Sequence, residues 1–296
     1  MKNVFIITFI ILLSIFTIVM AQGNIKLNIT AEKTEFLLGE PVIVYVTLTN
    51  TGNEPIRVSP EVAPEKDTYV YFITDPAGST KRFGPVYVTE PDEIKTLAKN
   101  ESVGGAARIF YGGQGYYFTE PGEYKVVVRY DEADSPPLML SILEPRDEAE
   151  REQANLILDH PEVGLFLMLE GGDELADAHA QMETLNQKYP NSLLTAYVRY
   201  AQAKNYSVPA RNFVIKKPRD ADYQKAIEIF DTLKDKEIQL FYKVRSVNAL
   251  SACLDKTGRK DEAKKVLEEF KSTLEAKKDM RQYLIDQIDM ELNKTK

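Results

Sequence analysis

Residues 36–56 of the chain, FLLGEPVIVYVTLTNTGNEPI, contain the clearest strand pattern in the sequence. Within them, residues 42–48 (VIVYVTL) are rich in β-branched residues and Tyr, which favour a strand buried on one or both faces. Residues 50–53 (NTGN) follow directly, and Asn and Gly tolerate the backbone angles of a tight turn. A buried strand that ends in such a turn indicates a β structure with closely spaced strands.

Similar segments extend this pattern from residue 25 to about residue 144. Turns containing Pro and Gly separate them, and helix-period stretches are missing. Seven or eight short strands with turn signals between them predict an antiparallel β-sandwich of about 120 residues. The further strands are predicted at residues 25–29, 69–74, 86–88, 106–111, 124–130 and 138–143.

After Glu144-Pro145 the apolar residues recur with the 3.6-residue period of helices. Asp173, Ser192 and Asp222 stand at expected helix N-caps, and Gly171 is expected to end the first helix. The chain therefore predicts an α-hairpin array after the β half. Its helices are predicted at residues 162–170, 174–188, 193–204, from 223, 241–254, from 261, and in a final segment carrying Leu284, Ile288 and Leu292.

The first 21 residues have the order of a secretory signal peptide. Lys2 precedes an apolar run over residues 4–20, and Val19-Met20-Ala21 suits cleavage before Gln22. The alternative is a membrane anchor, since the run is at the lower limit for a bilayer span. The sequence therefore predicts an extracytoplasmic protein, periplasmic or secreted, without membrane insertion once the signal is removed. Its divisions are residues 1–21, a β domain at 22–145 and a helical domain at 146–296.

Charge and cysteine content narrow the function classes. The chain has 45 acidic and 37 basic residues and a net charge of −8, which argues against nucleic-acid binding. Residues 22–145 carry 18 acidic and 11 basic residues, so the β half holds most of the excess negative charge. One Cys excludes an internal disulfide, and one Cys with two His makes a structural zinc site a poor fit.

Residues 250–263, LSACLDKTGRKDEA, resemble the turn between two helices of a tetratricopeptide repeat. In that family a Gly closes the first helix and a small residue five positions later lets the helices approach, as Gly258 and Ala263 are spaced here. Ala226 and Ala178 resemble the small positions of two further units. The interval from Ala178 to Ala226 is 48 residues and that from Ala226 to Ala263 is 37. The usual repeat is 34 residues, so the resemblance is to degenerate repeats. It implies a concave surface that binds proteins or peptides.

Two stretches of the β half, residues 36–56 and 118–130 (FTEPGEYKVVVRY), resemble bacterial immunoglobulin-like modules. Tyr124 resembles the tyrosine-corner position of such sandwiches, at the head of a late strand. The segments TNTGNEPI and PGEY are also similar to the intracellular proteinase inhibitor family. These resemblances imply the fold of the β half, and the second adds protease inhibition as an alternative function.

Two sets of side chains are candidates for chemistry. Cys253 and His179 could form a nucleophilic pair, but Cys253 stands on an apolar helix stripe, which favours a packing role. Asp131, Glu132 and Asp134 are candidate calcium ligands, and the alternative is an acidic surface loop. Residues 112–115 (GGQG) are interpreted as a β-turn or a bulge, because no helix follows to hold a phosphate.

The sequence therefore predicts a non-catalytic protein without a cofactor. We expect it to bind a protein or peptide partner through the helical array, the sandwich loops or both. The alternatives are a protease-inhibitory module and a carbohydrate-binding or envelope-attachment module that takes a glycan. The change of period also predicts that limited proteolysis cuts near residues 134–154 and yields two folded pieces.

Overall fold

The computed structural model describes residues 24–91, 93–212, 214–275, 288–289 and 292–293. The predicted signal peptide at 1–21 and most of the predicted final helical segment, including Leu284, lie outside the described residues. Within the described ranges, no helix is both long enough and apolar enough to cross a membrane.

Strands dominate the first half of the described chain. Thirteen strands precede residue 144, and a further pair lies in the helical half. In chain order they are β1 (Ile25–Thr30), β2 (Glu35–Leu37), β3 (Ile43–Asn50), β4 (Ile56–Val58), β5 (Tyr69–Thr74), β6 (Thr80–Arg82), β7 (Lys95–Leu97), β8 (Ser102–Arg108), β9 (Tyr111–Gly112), β10 (Gly115–Tyr116), β11 (Gly122–Tyr130), β12 (Ala133–Asp134), β13 (Leu138–Leu143), β14 (Ala210–Asn212) and β15 (Lys217–Arg219).

Two larger sheets organise the β half. One has the order β1-β3-β8 with antiparallel pairs, and the other has the order β2-β13-β11-β5-β6. Strands β13 and β2 pair in parallel, so the prediction of an entirely antiparallel β half is wrong at this pair. Parallel neighbours need a long connection, and here nearly all of the β half lies between the two strands.

The sheets are built from alternating inward and outward residues. In β5 the residues Tyr69, Tyr71 and Ile73 are buried at every second position, as the period of a half-buried strand requires. Strand β3 differs, because its first four residues are all buried and both faces are covered there. The run of β-branched residues that opened the sequence pattern thus forms the most enclosed strand of its sheet.

Two predicted strands differ from the structure. Residues 86–88 form no strand, and Val88 is exposed in a loop. The predicted strand at 106–111 is divided, because β8 ends at Arg108 and Tyr111 begins the β9–β10 hairpin. Gly112 lies so close to Gly84 that an added Cβ would be 2.0 Å from the Gly84 carbonyl oxygen. This close approach leaves no room for a side chain at residue 112, and residues 113–114 form the turn between β9 and β10, in agreement with the predicted turn.

Seven helices with defined bounds follow among the described residues, and residues 288–289 and 292–293 of the predicted final segment are also helical. The seven helices are α1 (Glu148–Leu158), α2 (Pro161–Leu169), α3 (Ala176–Lys188), α4 (Leu193–Tyr206), α5 (Tyr223–Asp231), α6 (Leu240–Lys256) and α7 (Lys260–Glu275). The predicted N-caps Ser192 and Asp222 are confirmed, since each side chain accepts a hydrogen bond from a first-turn backbone N–H. The chain is therefore β in its first half and helical in its second.

Three features of the first helices differ from the prediction. Helix α1 has no counterpart among the predicted helices. Its N-cap is Asp147, whose side chain accepts a hydrogen bond from the Glu150 N–H at 2.8 Å. Helix α2 ends with Glu170 in the left-handed conformation, at φ 56°, so Gly171 does not make that cap. Helix α3 begins at Ala176, and Asp173 binds Arg219 instead of capping it.

The two halves share one continuous hydrophobic core. At Gly164 of α2, an added Cβ would be 2.2 Å from the Tyr111 ring and 2.7 Å from the Tyr116 ring. Tyr116 also donates its hydroxyl to the Ile157 carbonyl of α1 at 2.9 Å. The predicted boundary at residue 145 and the two proteolytic pieces stay predictions, but the segments on either side of that boundary are packed closely together.

Candidate functional site

The first candidate is a cluster of charges between the halves, which we call the Glu170 network. Its members are Glu170, Arg108 of β8, Tyr200 of α4 and Arg245 of α6. Arg245 donates to the two Glu170 carboxylate oxygens at 2.8 and 2.6 Å. Arg108 donates to the same carboxylate at 3.2 Å, and the Tyr200 hydroxyl donates to it at 2.8 Å. Arg245 also donates to the Tyr200 oxygen at 2.8 Å, so four distant elements meet at one carboxylate.

The electrostatics of the Glu170 network follow from its burial. Burial alone would raise the pKa of Glu170, but Arg245 and Arg108 outweigh it and hold that pKa below its ordinary value. Burial, with the charge of Glu170, raises the pKa of Tyr200 well above its usual range. Perturbed groups are often functional, yet here both carboxylate oxygens already accept hydrogen bonds from side chains of the fold. The network is therefore suited to joining the two halves.

A second polar cluster lies at the turn between β2 and β3. Glu40 is 3% exposed and accepts from the Tyr197 hydroxyl of α4 at 2.8 Å. Lys33 donates to Glu40 at 2.8 Å, and the Gln239 side-chain amide donates to the Pro41 carbonyl at 2.7 Å. Glu40 was not predicted as a site residue, although a single carboxylate within the apolar run FLLGEPVIV indicates that the group has a partner in the folded protein.

The second candidate site is a cleft between α5, α6 and α7, which we call the helical groove. It encloses about 370 Å³, within the range typical of small-ligand and side-chain pockets. Lys234, Asp235, Lys243 and Glu269 give it charges of both signs. Its apolar lining consists of Phe230, Leu233, Ile238, Val247, Leu250, Val266 and Phe270.

One polar atom distinguishes the helical groove. Ser246 lines it, is 7% exposed, and its hydroxyl has no hydrogen-bond partner among the described residues. Three other buried oxygen atoms share that state, on Gln239, Tyr242 and Asn248, but none of those residues lines the groove. An unmade hydrogen bond of this kind costs about 1–3 kcal/mol. The oxygen is closed to solvent in this conformation, so a ligand could bond Ser246 only after a neighbouring groove side chain moved, and it would then recover that free energy.

Cys253 and His179, the candidate nucleophilic pair, have separate partners in the structure. Cys253 is buried, and burial raises the pKa of its thiol to about 11 despite the nearby Lys204. His179 hydrogen-bonds to the Gly172 carbonyl at 3.1 Å and packs its ring edge-on against Phe166. A thiol with a raised pKa is a poor nucleophile, so the structure favours the packing role predicted for Cys253.

Of the residues expected from the repeat resemblance, the three alanines are buried and Gly258 lies in a turn. Ala178, Ala226 and Ala263 are fully buried between helices. Gly258 has a φ of +80° and open space around the position of a Cβ, so its backbone conformation selects Gly there. In the β half, the Tyr124 hydroxyl donates to the Glu120 carbonyl at 3.1 Å, the local bond expected of a tyrosine corner.

The candidate calcium ligands lie at the β11–β12 hairpin. Arg129 donates to both oxygens of Asp134, at 2.6 and 2.8 Å, and this pairing lowers the pKa of that carboxyl. Asp131 occupies the turn with a φ of 53°. Across the described ranges, no group of three or more His, Cys, Asp or Glu residues is placed to hold a metal ion. Of the three candidate ligands, Asp134 is held by its ion pair with Arg129.

No protein-family model matches the chain, and no curated protein is significantly similar to it. A β-glucosidase from Listeria innocua in complex with glucose is 17% identical over 40% of this chain and 16% of that chain, with a TM-score of 0.27. A β-glucosidase from Erythrobacter marinus is 17% identical over 40% and 15%, with a TM-score of 0.26. The DNA glycosylase AlkC from Pseudomonas fluorescens, bound to DNA with an abasic-site analogue, is 15% identical over 41% and 31%, with a TM-score of 0.28. The chain spans less than a third of each, and such low TM-scores give no basis for a shared fold or activity.

Proposed function

We propose that this is a non-catalytic, extracytoplasmic binding protein whose helical groove holds an apolar segment of a protein or peptide partner. The observation that carries the proposal is the unpartnered Ser246 hydroxyl in a groove lined mainly by aliphatic and aromatic side chains. An apolar anchor would fill the lining, and one polar group of the partner would bond Ser246.

The volume of the helical groove limits the size of the part of the partner that it can hold. A volume of about 370 Å³ accommodates two or three large side chains, as when a short helix places its i and i+4 anchors in a groove. Lys243 interacts with Glu237 at 3.6 Å, and Lys234 interacts with Asp231 at 2.6 Å. Because these cations already have acidic neighbours, apolar contacts should supply most of the affinity, and the charges should set orientation.

The finer fold assignment belongs to the same proposal. We propose an immunoglobulin-like sandwich for the β half, supported by its two sheets and by the Tyr124 bond to Glu120. We also propose degenerate tetratricopeptide-like repeats for the helices, supported by Gly258 and the buried alanines. In such an array the groove would be part of the binding surface.

The test is peptide selection from a displayed random library with protein spanning residues 22–296, which keeps every described residue. A selected peptide is then titrated against variants by fluorescence anisotropy. Val247→Asp places a charge in the apolar lining and should weaken binding at least about tenfold. Ser246→Ala removes only the hydroxyl, and should weaken binding about fivefold to tenfold.

Val88→Asp is the matched control, because it introduces the same charge at an exposed aliphatic residue of the β half. It should leave the affinity unchanged. If both groove variants bind the selected peptides as tightly as the unmodified protein, the groove is not the binding surface. Failure to select any peptide would also count against the proposal. Thermal unfolding of each variant separates lost binding from lost folding.

A further inference from the structure

The β14–β15 hairpin presents the most exposed large apolar side chains among those described. Val214 is 75% exposed and Ile215 is 65% exposed, and the two are adjacent at the tip. Single exposed apolar residues are ordinary on protein surfaces. Two aliphatic neighbours that together project from a hairpin tip form a small apolar wedge instead.

The tip has a backbone that suits a poorly hydrated environment. The Asn212 side-chain oxygen accepts from the backbone N–H groups of Val214 and Ile215, each at 3.0 Å. Unsatisfied backbone donors are costly wherever water is scarce. Since two donors at the tip are satisfied by the hairpin itself, this part of the tip could leave water without losing those hydrogen bonds.

Positive charge accompanies the wedge. Lys216 and Lys217 directly follow Ile215 and are both exposed. Residues 208–220 contain four basic residues and one acidic residue, in a chain whose net charge is −8. The hairpin therefore combines exposed aliphatic groups with local cations on a protein that is otherwise acidic.

The base of the hairpin is fixed to the helical half. Arg219 of β15 donates to the Asp173 carboxylate at 2.6 Å and to the Asn205 carbonyl at 2.9 Å. Its guanidinium also lies 5.5 Å from the centre of the Tyr206 ring. A hairpin held in this way presents its tip in a defined direction, which reduces the entropy lost on docking.

We propose that the tip of the β14–β15 hairpin docks on the surface of an anionic lipid bilayer. Val214 and Ile215 enter the interfacial region, and Lys216 and Lys217 contact the acidic headgroups. The bilayer fits better than a protein partner, because two side chains supply far less contact area than the ~800 Å² that each side of a stable protein interface buries. This inference does not depend on the helical groove.

The test is cosedimentation of protein spanning residues 22–296 with sucrose-loaded vesicles. Residues 1–21 are left out, because their apolar run would bind lipid by itself. The vesicles are phosphatidylcholine alone or phosphatidylcholine with about one third phosphatidylglycerol. We expect binding to the anionic vesicles at low salt, weakened by added salt. K216Q/K217Q and V214S/I215S should each lower the partition coefficient about tenfold.

Two control variants match these changes at other exposed sites. K264Q/K265Q removes two exposed lysines from α7, and V88S/I94S removes two exposed aliphatic residues from the β half. Neither should change vesicle binding. The proposal is overturned if the protein does not bind anionic vesicles, if the controls lose as much binding as the tip variants, or if the tip variants bind vesicles normally but lose a protein partner. Thermal unfolding should be the same for all four variants.

Discussion

Helix α6 contributes to two regions of the molecule whose polar groups differ in how completely they are paired. Arg245 is fully engaged in the Glu170 network, with hydrogen bonds to Glu170 and to Tyr200. The next residue, Ser246, lines the helical groove with a buried hydroxyl that has no partner within the described residues. Helix α6 thus holds the two halves together through Arg245 and contributes an unpartnered hydroxyl to the helical groove through Ser246.

This difference indicates what each region does. A buried carboxylate whose two oxygens are both bonded within the fold has little capacity left for a ligand, so its perturbed pKa reflects architecture. A buried hydroxyl without a partner costs stability in the free protein. Within α6, the fully paired Arg245 therefore belongs to the junction between the halves, and the unpartnered Ser246 belongs to the candidate binding surface.

The largest effect should come from breaking the Glu170 network. Glu170→Gln leaves Arg245 and Arg108 partly buried without a full counter-charge, so we expect a loss of about 3–5 kcal/mol in the free energy of unfolding. Urea denaturation measures it. Glu262→Gln is the matched control, because Glu262 pairs with Arg259 on the exposed surface of α7 and its loss should change little. Equal effects would mean that the Glu170 network does not join the halves.

The same variant has a pH signature. The pKa of Glu170 is below its ordinary value of 4.5 in the folded protein, so its contribution to stability is present above that value. The contribution is lost as the pH falls through the folded-state pKa. We therefore expect the unmodified protein to lose more stability than Glu170→Gln between about pH 6 and about pH 3. Parallel pH profiles would contradict this assignment.

Gly164→Ala should have the next largest effect. In an ordinary helix interior this change stabilises by up to about 1 kcal/mol. Here the new Cβ would overlap the Tyr111 and Tyr116 rings, so we expect a loss of about 1–3 kcal/mol. Gly258→Ala is the control, because the added Cβ would meet open space and its only cost would come from the positive φ at that residue. Limited proteolysis near residues 134–154 should become faster in Gly164→Ala alone, if close packing at α2 protects that segment.

Ser246→Ala should have the smallest effect and the opposite sign. Removing a hydroxyl without a partner, at a helix position where Ala is favoured, should raise the free energy of unfolding of the free protein by about 0.5–1 kcal/mol. Ser251→Ala is the comparison, because the Ser251 hydroxyl donates to the Ala263 carbonyl at 3.1 Å. Its removal should destabilise. If Ser246→Ala destabilises to the same extent, the groove hydroxyl is satisfied in solution.

Local patterns in the sequence predicted much of the fold. The strand Leu138–Leu143 and the helices capped by Ser192 and Asp222 lie where the periodicity and capping residues indicated. Helix α1 was missed because its first turns are mostly charged or polar and its large apolar residues, Leu156, Ile157 and Leu158, come only at its end. These elements depend on neighbours a few residues away, which is the range over which sequence patterns are informative.

The candidate sites could not be predicted in the same way. Glu170 meets Arg108 and Arg245 at separations of 62 and 75 residues, and no local pattern marks such a meeting. The αL conformation of Glu170 usually favours Gly, so propensity alone argued for the wrong capping residue. Whether Ser246 has a partner depends on how α5, α6 and α7 pack together, and no local sequence pattern shows that packing.

The tyrosines at the junction have a spectroscopic consequence. The chain contains 16 Tyr and no Trp, so its intrinsic ultraviolet emission comes from tyrosine. Tyr242 packs edge-on against Tyr197 and Tyr200 at centroid distances of 5.1 and 4.9 Å, and the Tyr200 and Tyr197 hydroxyls donate to carboxylates. A carboxylate acceptor quenches the excited phenol, so these rings should be dim while the halves are joined and brighten when they separate. The junction thus contains its own optical reporter, readable without any attached label.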